Sequence, residues 1–153
     1  MTKQPAVNPI EAHLGYWLRF VSNHVSHAFS RKLEARGVTV AEWVVLRELF
    51  EADRAAPSRL ADRLGLTRGA ISKLADRLAA KSLVARTANG DDRRYQALLL
   101  TAEGRALVPK LSALADRNDA EFFGHLDQAE RERLIAAMQA IVRRHGLRAI
   151  PVD

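Results

Sequence analysis

The side chains best suited to binding a charged partner are concentrated between residues 54 and 94. This segment carries ten basic and four acidic residues, whereas the rest of the chain carries fourteen of each sign, so the whole net charge of +6 lies here. Guanidinium and ammonium groups gathered in one segment are typical of proteins that bind phosphates or another anionic surface. A merely solvated surface would spread the excess along the chain, so the segment predicts a polyanion-binding module.

Other chemistries find little support in the sequence. The chain of 153 residues contains no cysteine, which excludes disulfides, thiolate metal ligands and thiol redox chemistry. It contains no nucleophile elbow, zinc-protease motif, phosphate loop or dinucleotide fingerprint, so we predict neither an enzyme nor a cofactor. No secretory signal and no apolar run of membrane-spanning length are visible, so we expect a cytoplasmic, nucleoid-associated protein.

Helical periodicity and capping residues predict most of the architecture. A long helix is expected over residues 9–36, ended by Gly37, and Thr39 with Glu42 forms a capping box that starts a second helix. Ser58 is expected to cap a third helix that ends at Gly65, and Thr67 a fourth over residues 68–81. Further helices are expected over residues 102–124 and, after a second capping box at Asp127, to about residue 145.

Residues 58–81 have the pattern of a helix-turn-helix. Ala61 is small where two helices must press together, Gly65 permits a left-handed turn, and Ile71 follows at the expected spacing. The apolar set that would hold the two helices together comprises Leu60, Leu64, Leu66, Ile71, Leu74 and Leu78. An ordinary helical hairpin is the alternative interpretation.

The fourth helix divides into an inward face and a face left for DNA. Ile71, Leu74, Ala75 and Leu78 are expected to point inward. The candidate DNA-binding residues on the helix-turn-helix are Ser58, Thr67, Arg68, Gly69, Ser72, Lys73 and Arg77. Those in the first turns of the helix are positioned for base edges, and the later cations for phosphates.

A β-hairpin follows the predicted recognition helix. Strands are expected over residues 83–87 and 95–100, with Asn89 and Gly90 in the turn between them. Arg93 and Arg94 at the tip are suited to a minor groove, with Asp92 holding the turn, and Asn89 completes the candidate set. A solvated turn with local ion pairs is the alternative for the hairpin by itself.

These motifs together resemble the MarR family of bacterial transcriptional regulators. The resemblance is carried by Leu60–Leu66, by Arg77–Val84, and above all by Asp92-Arg-Arg followed by Leu100–Gly104. The chain departs from the family at Ser82, where glycine is common, and at Tyr95 and Gln96. The resemblance implies a homodimer that binds a pseudo-palindromic operator, usually as a repressor relieved by a small ligand.

The first helix carries two neighbouring stripes. Leu14, Leu18, Val21 and Val25 form an aliphatic stripe suited to a dimer seam. Aromatic and imidazole groups form the second stripe, and members of the resembled family commonly bind aromatic acids. The candidate ligand-binding residues are therefore Trp17, Phe20, His24, His27, Trp43 and Arg47. Plain core packing and a metal site at His24 and His27 are the alternatives, and we expect no metal.

The sequence thus predicts a mainly α fold with a small β-hairpin, built as one domain. Residues 39–101 would form a winged helix-turn-helix lobe with its recognition helix at 68–81 and its wing at 84–100, flanked by dimerisation helices at 9–36 and 102–146. The expected function is ligand-released, sequence-specific regulation of transcription by a homodimer on double-stranded DNA, with no membrane partner. An effector-independent or architectural DNA-binding protein and a protein-binding winged helix remain the alternatives.

Overall fold

The computed structural model describes residues 6–88 and 96–148, which contain six α-helices and three strands. In chain order the elements are α1 (Leu14–Glu34), α2 (Val40–Ala52), β1 (Arg54–Ala55), α3 (Pro57–Leu64), α4 (Arg68–Ala80), β2 (Val84–Ala88), β3 (Gln96–Leu100), α5 (Ala102–Phe123) and α6 (Gln128–His145). Within these residues, none of the helices combines the length and the hydrophobicity that crossing a membrane requires.

Helix α1 is shorter at both ends than the sequence predicts. Ile10–Ala12 form a separate 3-10 turn, and His13 has an extended backbone, so the expected start at residue 9 is wrong. The Trp17 indole N–H donates to the Glu11 carbonyl at 2.8 Å, which holds this turn against α1. At the other end, Gly37 adopts a φ of +72°, and the turn it permits ends the helix at Glu34.

The start of α2 follows the sequence closely. Thr39 and Glu42 form the expected capping box: Glu42 N–H donates to Thr39 Oγ1 at 3.2 Å, and Thr39 N–H donates to Glu42 Oε2 at 3.1 Å. Val38 and Trp43, on either side of this box, are both buried in the core. The capping prediction is confirmed.

The helix-turn-helix forms as predicted except at its first residue. Helix α3 begins at Pro57, whose ring presets the helical φ, and no side chain caps it, so the prediction that Ser58 is the cap is wrong. Gly65 takes the left-handed conformation at φ +66° and ends α3. Thr67 Oγ1 accepts a hydrogen bond from Ala70 N–H at 3.1 Å and caps α4 as expected.

The sheet contains a strand that the sequence analysis did not predict. The strand order is β1-β3-β2, with Arg54 opposite Leu99 and Ala55 opposite Leu98. A two-residue strand has too little sequence for any periodicity, and it forms because β3 offers a free edge. The two predicted strands are confirmed, as Val84–Ala88 and Gln96–Leu100, with three of their four ends shifted by one residue and the last end, at Leu100, as predicted.

One hydrophobic core joins the helix-turn-helix to the sheet and to α5. Its most deeply buried members are Leu33, Val45, Leu46, Leu49, Leu60, Ile71, Leu78, Leu98 and Leu111. Leu64 and Leu66 pack against this core while only partly buried. Every helix except α6 contributes buried residues, because α6 has none.

Helix α5 passes unusually close to the chain that leaves α4. Thr101 N–H donates to the Leu83 carbonyl at 3.1 Å, and its hydroxyl donates to the Ser82 carbonyl at 2.6 Å. At Gly104 a Cβ atom would overlap the Leu83 carbonyl, a backbone group that cannot move aside. Glycine at this position is therefore required by packing rather than by backbone conformation.

Gly104→Ala should lower the free energy of unfolding by at least about 2 kcal/mol, because the methyl group must push α5 away from the Leu83 carbonyl. Gly15→Ala is the matched control, since a Cβ there has no neighbour within 4 Å and alanine favours a helix. Urea unfolding of the two variants measures the difference. Equal stability of the two variants would contradict the close packing.

Candidate nucleic-acid interface

Helix α4 presents one apolar face to the core and one polar face to solvent. Ile71, Leu74, Ala75 and Leu78 are buried, as the sequence predicts. The opposite face is exposed along the whole helix and consists of Arg68, Gly69, Ser72, Lys73, Asp76 and Arg77. Three cations against one carboxylate make this a positive surface on a helix that the core holds in place.

The start of α4 is open to a close approach. Thr67 satisfies the Ala70 N–H, while the first N–H groups of α4 face outward with the positive end of the helix dipole. At Gly69 a Cβ would meet only Thr67 Oγ1, at 3.9 Å. Neither backbone strain nor packing within the chain therefore requires glycine at this position, and its small size leaves the backbone accessible from outside.

The wing is held to α4 by a charged contact. Arg86 Nη2 on β2 lies 2.6 Å from Asp76 Oδ1 on α4, with both side chains substantially exposed. The contact orients β2 beside the helix, although an exposed pair of this kind contributes little stability. Of the predicted hairpin residues, Asn89, Asp92, Arg93 and Arg94 lie outside the described residues.

Two of the predicted DNA-binding residues lie at the starts of helices. Ser58 is half-buried in the first turn of α3, and Thr67 is exposed immediately before α4.

A cleft of about 210 Å³ between α2, β1 and α3 is lined by Arg54, Arg59 and Arg63. These three arginines were counted in the basic segment but not in the predicted site, since only the fold brings them together.

The C-terminal end of α4 is tied to the start of α2. Lys81 Nζ donates to Glu42 Oε2 and to the Gly37 carbonyl, both at 2.7 Å. Sequence reasoning missed Lys81, although a signal existed. Glu42 lies one helical turn before the apolar Val45 and Leu46, on the side of α2 that faces the core, and a carboxylate there needs a cation.

The residues predicted to bind a ligand do not form one pocket. Tyr16, Trp17, Phe20 and His24 run along α1 as a row of rings, with Phe20 and His24 centroids 4.9 Å apart. Trp17 faces a groove of about 370 Å³ between α1 and α6. His24 and His27 are exposed, and among the described residues no group of three metal-binding side chains exists.

Trp43 and Arg47 line a different groove, of about 390 Å³, between α2 and α5. Its walls include Phe50, Val108 and Pro109, and Arg47 also lies 3.5 Å from Glu51. The periodicity of α1 could place its own rings on one face, but it could not say which groove the α2 residues would line.

The helix-turn-helix, the exposed basic face of α4 and the hairpin beside it define a winged helix-turn-helix DNA-binding protein. Residues 36–94 match the model of the MarR family. The chain is 31% identical over 133 residues to the HTH-type transcriptional regulator PrsX of Escherichia coli, covering 85% of this chain and 80% of that protein. Over 72 residues, 47% of this chain and 46% of the relative, it is 42% identical to the HTH-type transcriptional repressor MdtR of Bacillus subtilis.

Solved structures show the same fold. A mutant MarR from E. coli, complexed with operator DNA, superposes with a TM-score of 0.74 at 25% identity, over 84% of this chain and 93% of that one. BpsR of Bordetella bronchiseptica superposes with a TM-score of 0.75 at 24% identity, over 89% and 97% of the two chains. The chain belongs to the MarR family and is a DNA-binding transcriptional regulator, not an enzyme.

Ser82→Gly should raise the free energy of unfolding by about 0.5–1 kcal/mol, because Ser82 has a left-handed φ of +59° at the end of α4. The carbonyl that accepts from Thr101 is retained in the variant. Ser72→Gly, at an exposed helical position in α4, is the control and should lower stability by about 0.5 kcal/mol. Thermal unfolding without DNA compares them, and a loss of stability in Ser82→Gly would contradict the strain.

Proposed function

We propose that the chain is a homodimeric repressor that binds a pseudo-palindromic operator and leaves it when a small aromatic acid binds. The observation that carries the proposal is the polar face of α4, where exposed cations flank a glycine that the fold does not need. Such a surface fits a major groove, because the small residue lets the helix start approach the bases while cations contact phosphates.

The contacts would divide by position along the interface. Arg68, Gly69 and Ser72 would face base edges, while Lys73 and Arg77 would contact phosphates. Ser58 and Thr67 would donate to the DNA backbone from two helix starts. The wing residues Asn89, Asp92, Arg93 and Arg94 would reach the adjacent minor groove, so residues 39–101 form the DNA-binding lobe of this proposal.

A second copy of the chain is proposed to cover the apolar faces of α1 and α6. Leu134, Ile135, Met138, Ile141 and Val142 are at least 40% exposed, and they share one face of α6. Together with Leu14, Leu18 and Val21 of α1, they form an apolar surface too large to be left in water. Because α5 packs against α1, the dimer lobe of this proposal would consist of α1, α5 and α6.

The groove between α2 and α5 is the proposed effector site. Trp43, Phe50 and Pro109 supply flat apolar walls, and Arg47 supplies a cation at the rim. A planar aromatic carboxylate would match the rings and the guanidinium, and it would compete for Arg47 with Glu51, which lines the groove together with Asp116. The DNA binding of BpsR, which has the same fold, is regulated by 6-hydroxynicotinic acid, and this supports the ligand class. Trp17 and Phe20 belong by position to the proposed dimer surface instead.

A binding-site selection tests the function as a whole. The protein should select duplexes with two inverted half-sites, and log K should fall with log salt at a slope of roughly −5 to −9 if it neutralises about 6–10 phosphates. A panel of aromatic acids should weaken this binding, and Arg47→Ala should remove the effect. Selection of no sequence would favour an architectural DNA-binding protein, and insensitivity to every acid would remove the effector.

Gly69→Ala should separate DNA binding from folding. Because a Cβ at this position is free of clashes inside the chain and alanine favours a helix, the variant should be at least as stable as the wild type, while the methyl group held against DNA should lower operator affinity about tenfold. Gly15→Ala, also at the second residue of a helix, is the control and should leave affinity unchanged. Unchanged affinity in Gly69→Ala would show that α4 does not approach the bases closely.

Charges placed on the apolar faces should break the dimer. Leu18→Asp and Ile141→Asp each put a carboxylate on a surface proposed to be dry, so sizing with mass detection should report monomers. Ala140→Asp, exposed on the opposite face of α6, should remain dimeric. Dimers of normal mass from both Leu18→Asp and Ile141→Asp would place the interface elsewhere.

A further inference from the structure

A single buried carboxylate connects three elements at the end of the proposed recognition helix. The Glu42 side chain is 2% exposed, and its Oε2 accepts from Thr39 N–H at 3.1 Å and from Lys81 Nζ at 2.7 Å. The same ammonium donates to the Gly37 carbonyl at 2.7 Å. One lysine therefore holds together the end of α4, the start of α2 and the turn that ends α1.

Because the Glu42 carboxylate is buried, breaking its contact with Lys81 is energetically costly. A carboxylate removed from water is stabilised only by its hydrogen bonds and its cation, so the loss of the lysine would leave an uncompensated charge inside the protein. The second charged contact of α4 among the described residues, Asp76 with Arg86, is exposed and leads to the wing. Lys81, the residue that follows α4, is thus the charged group at this end of the helix that reaches the turn after α1.

Lys81 lies at the C-terminal end of α4, so a small change of helix angle there produces a larger displacement at the N-terminal end, which is proposed to read DNA. Helix α4 is 13 residues long, so its start lies about 20 Å from the anchored end. A tilt of roughly 10° at Lys81 would then move the first turn by about 3 Å, close to the rise of one base pair. Helix α1, attached through Gly37, carries the apolar face that a second copy is proposed to cover.

We propose that Lys81 is a positioning residue that, through Glu42 and the Gly37 carbonyl, sets the angle of the recognition helix relative to the dimerisation helices. It thereby determines which half-site spacing the dimer accepts. This inference rests on the proposed function, because it requires α4 to read DNA and α1 to belong to the dimer. Lys81 itself makes no contact with DNA in this role.

Half-site spacing is the readout that separates positioning from simple stability. The probes are the duplex that the wild-type protein selects and the same duplex with one base pair inserted between its half-sites. Lys81→Met should reduce the ratio of these two affinities by about 2- to 30-fold, because a loosened α4 tolerates both spacings. The matched control is Lys32→Met, which removes a lysine that joins α1 to buried Asn118 and to Glu121 but does not touch α4. Its ratio should equal that of the wild type.

The double variant Glu42→Gln/Lys81→Met controls for misfolding that an unpaired buried carboxylate would cause in Lys81→Met. The glutamine amide oxygen still accepts from Thr39 N–H, and no unpaired charge is left inside the protein. Its spacing ratio should match that of Lys81→Met alone, since the two side chains act as one unit. A ratio equal to that of the wild type would overturn the proposal.

Salt dependence distinguishes a positioning lysine from one that contacts phosphate. Removing a phosphate contact should make the slope of log K against log salt shallower by about 0.9 per subunit, whereas Lys81→Met should leave it unchanged. A shallower slope with an unchanged spacing ratio would make Lys81 a phosphate contact and overturn the inference alone. If the wild-type protein selects no duplex with two half-sites, the proposed function fails and the inference fails with it.

Discussion

The arrangement of the winged helix-turn-helix depends on the backbone carbonyl of Leu83. It accepts from Thr101 N–H at 3.1 Å, and Gly104 brings the first turn of α5 against it without a side chain between them. The end of α4, the base of the hairpin and the start of α5 therefore meet at one point. Because that contact is between backbone groups, no rotamer change can relieve a displacement there. The base of the hairpin and the start of α5 must therefore stay in contact with the end of α4, whereas a contact at one point leaves the angle of α4 to other interactions.

The basic surface and the exposed apolar surface lie on different parts of the molecule. The whole net charge of +6 lies on residues 54–94, which contain the helix-turn-helix and the hairpin, and the rest of the chain is neutral overall. Helices α1 and α6, by contrast, expose apolar residues. A positive lobe attracts a polyanion over long distances, whereas apolar helices bind only at contact. Membership of the MarR family agrees with this division, and Ser82 shows that the chain tolerates local strain where glycine would be relaxed.

Much of the fold was predictable because the relevant signals are local. Thr39 with Glu42 and Asp127 with Glu130 form capping boxes as expected, and Gly65 takes the left-handed turn that the helix-turn-helix pattern requires. The failures also have local causes. Pro57 is the first residue of α3, so Ser58 lies inside the helix instead of capping it. Strand β1 has two residues, which is too short to show a sequence pattern.

The sequence by itself determined the order of the elements, the inward face of α4 and the place of the basic excess, because periodicity, caps and charge are properties of neighbouring residues. Only the tertiary structure decided which distant groups meet. Lys81 reaches Glu42 and Gly37 across about 40 residues of chain, and Trp43 lines a different groove from Trp17. Such pairings follow from how helices pack around a common core, and no spacing along the chain encodes them.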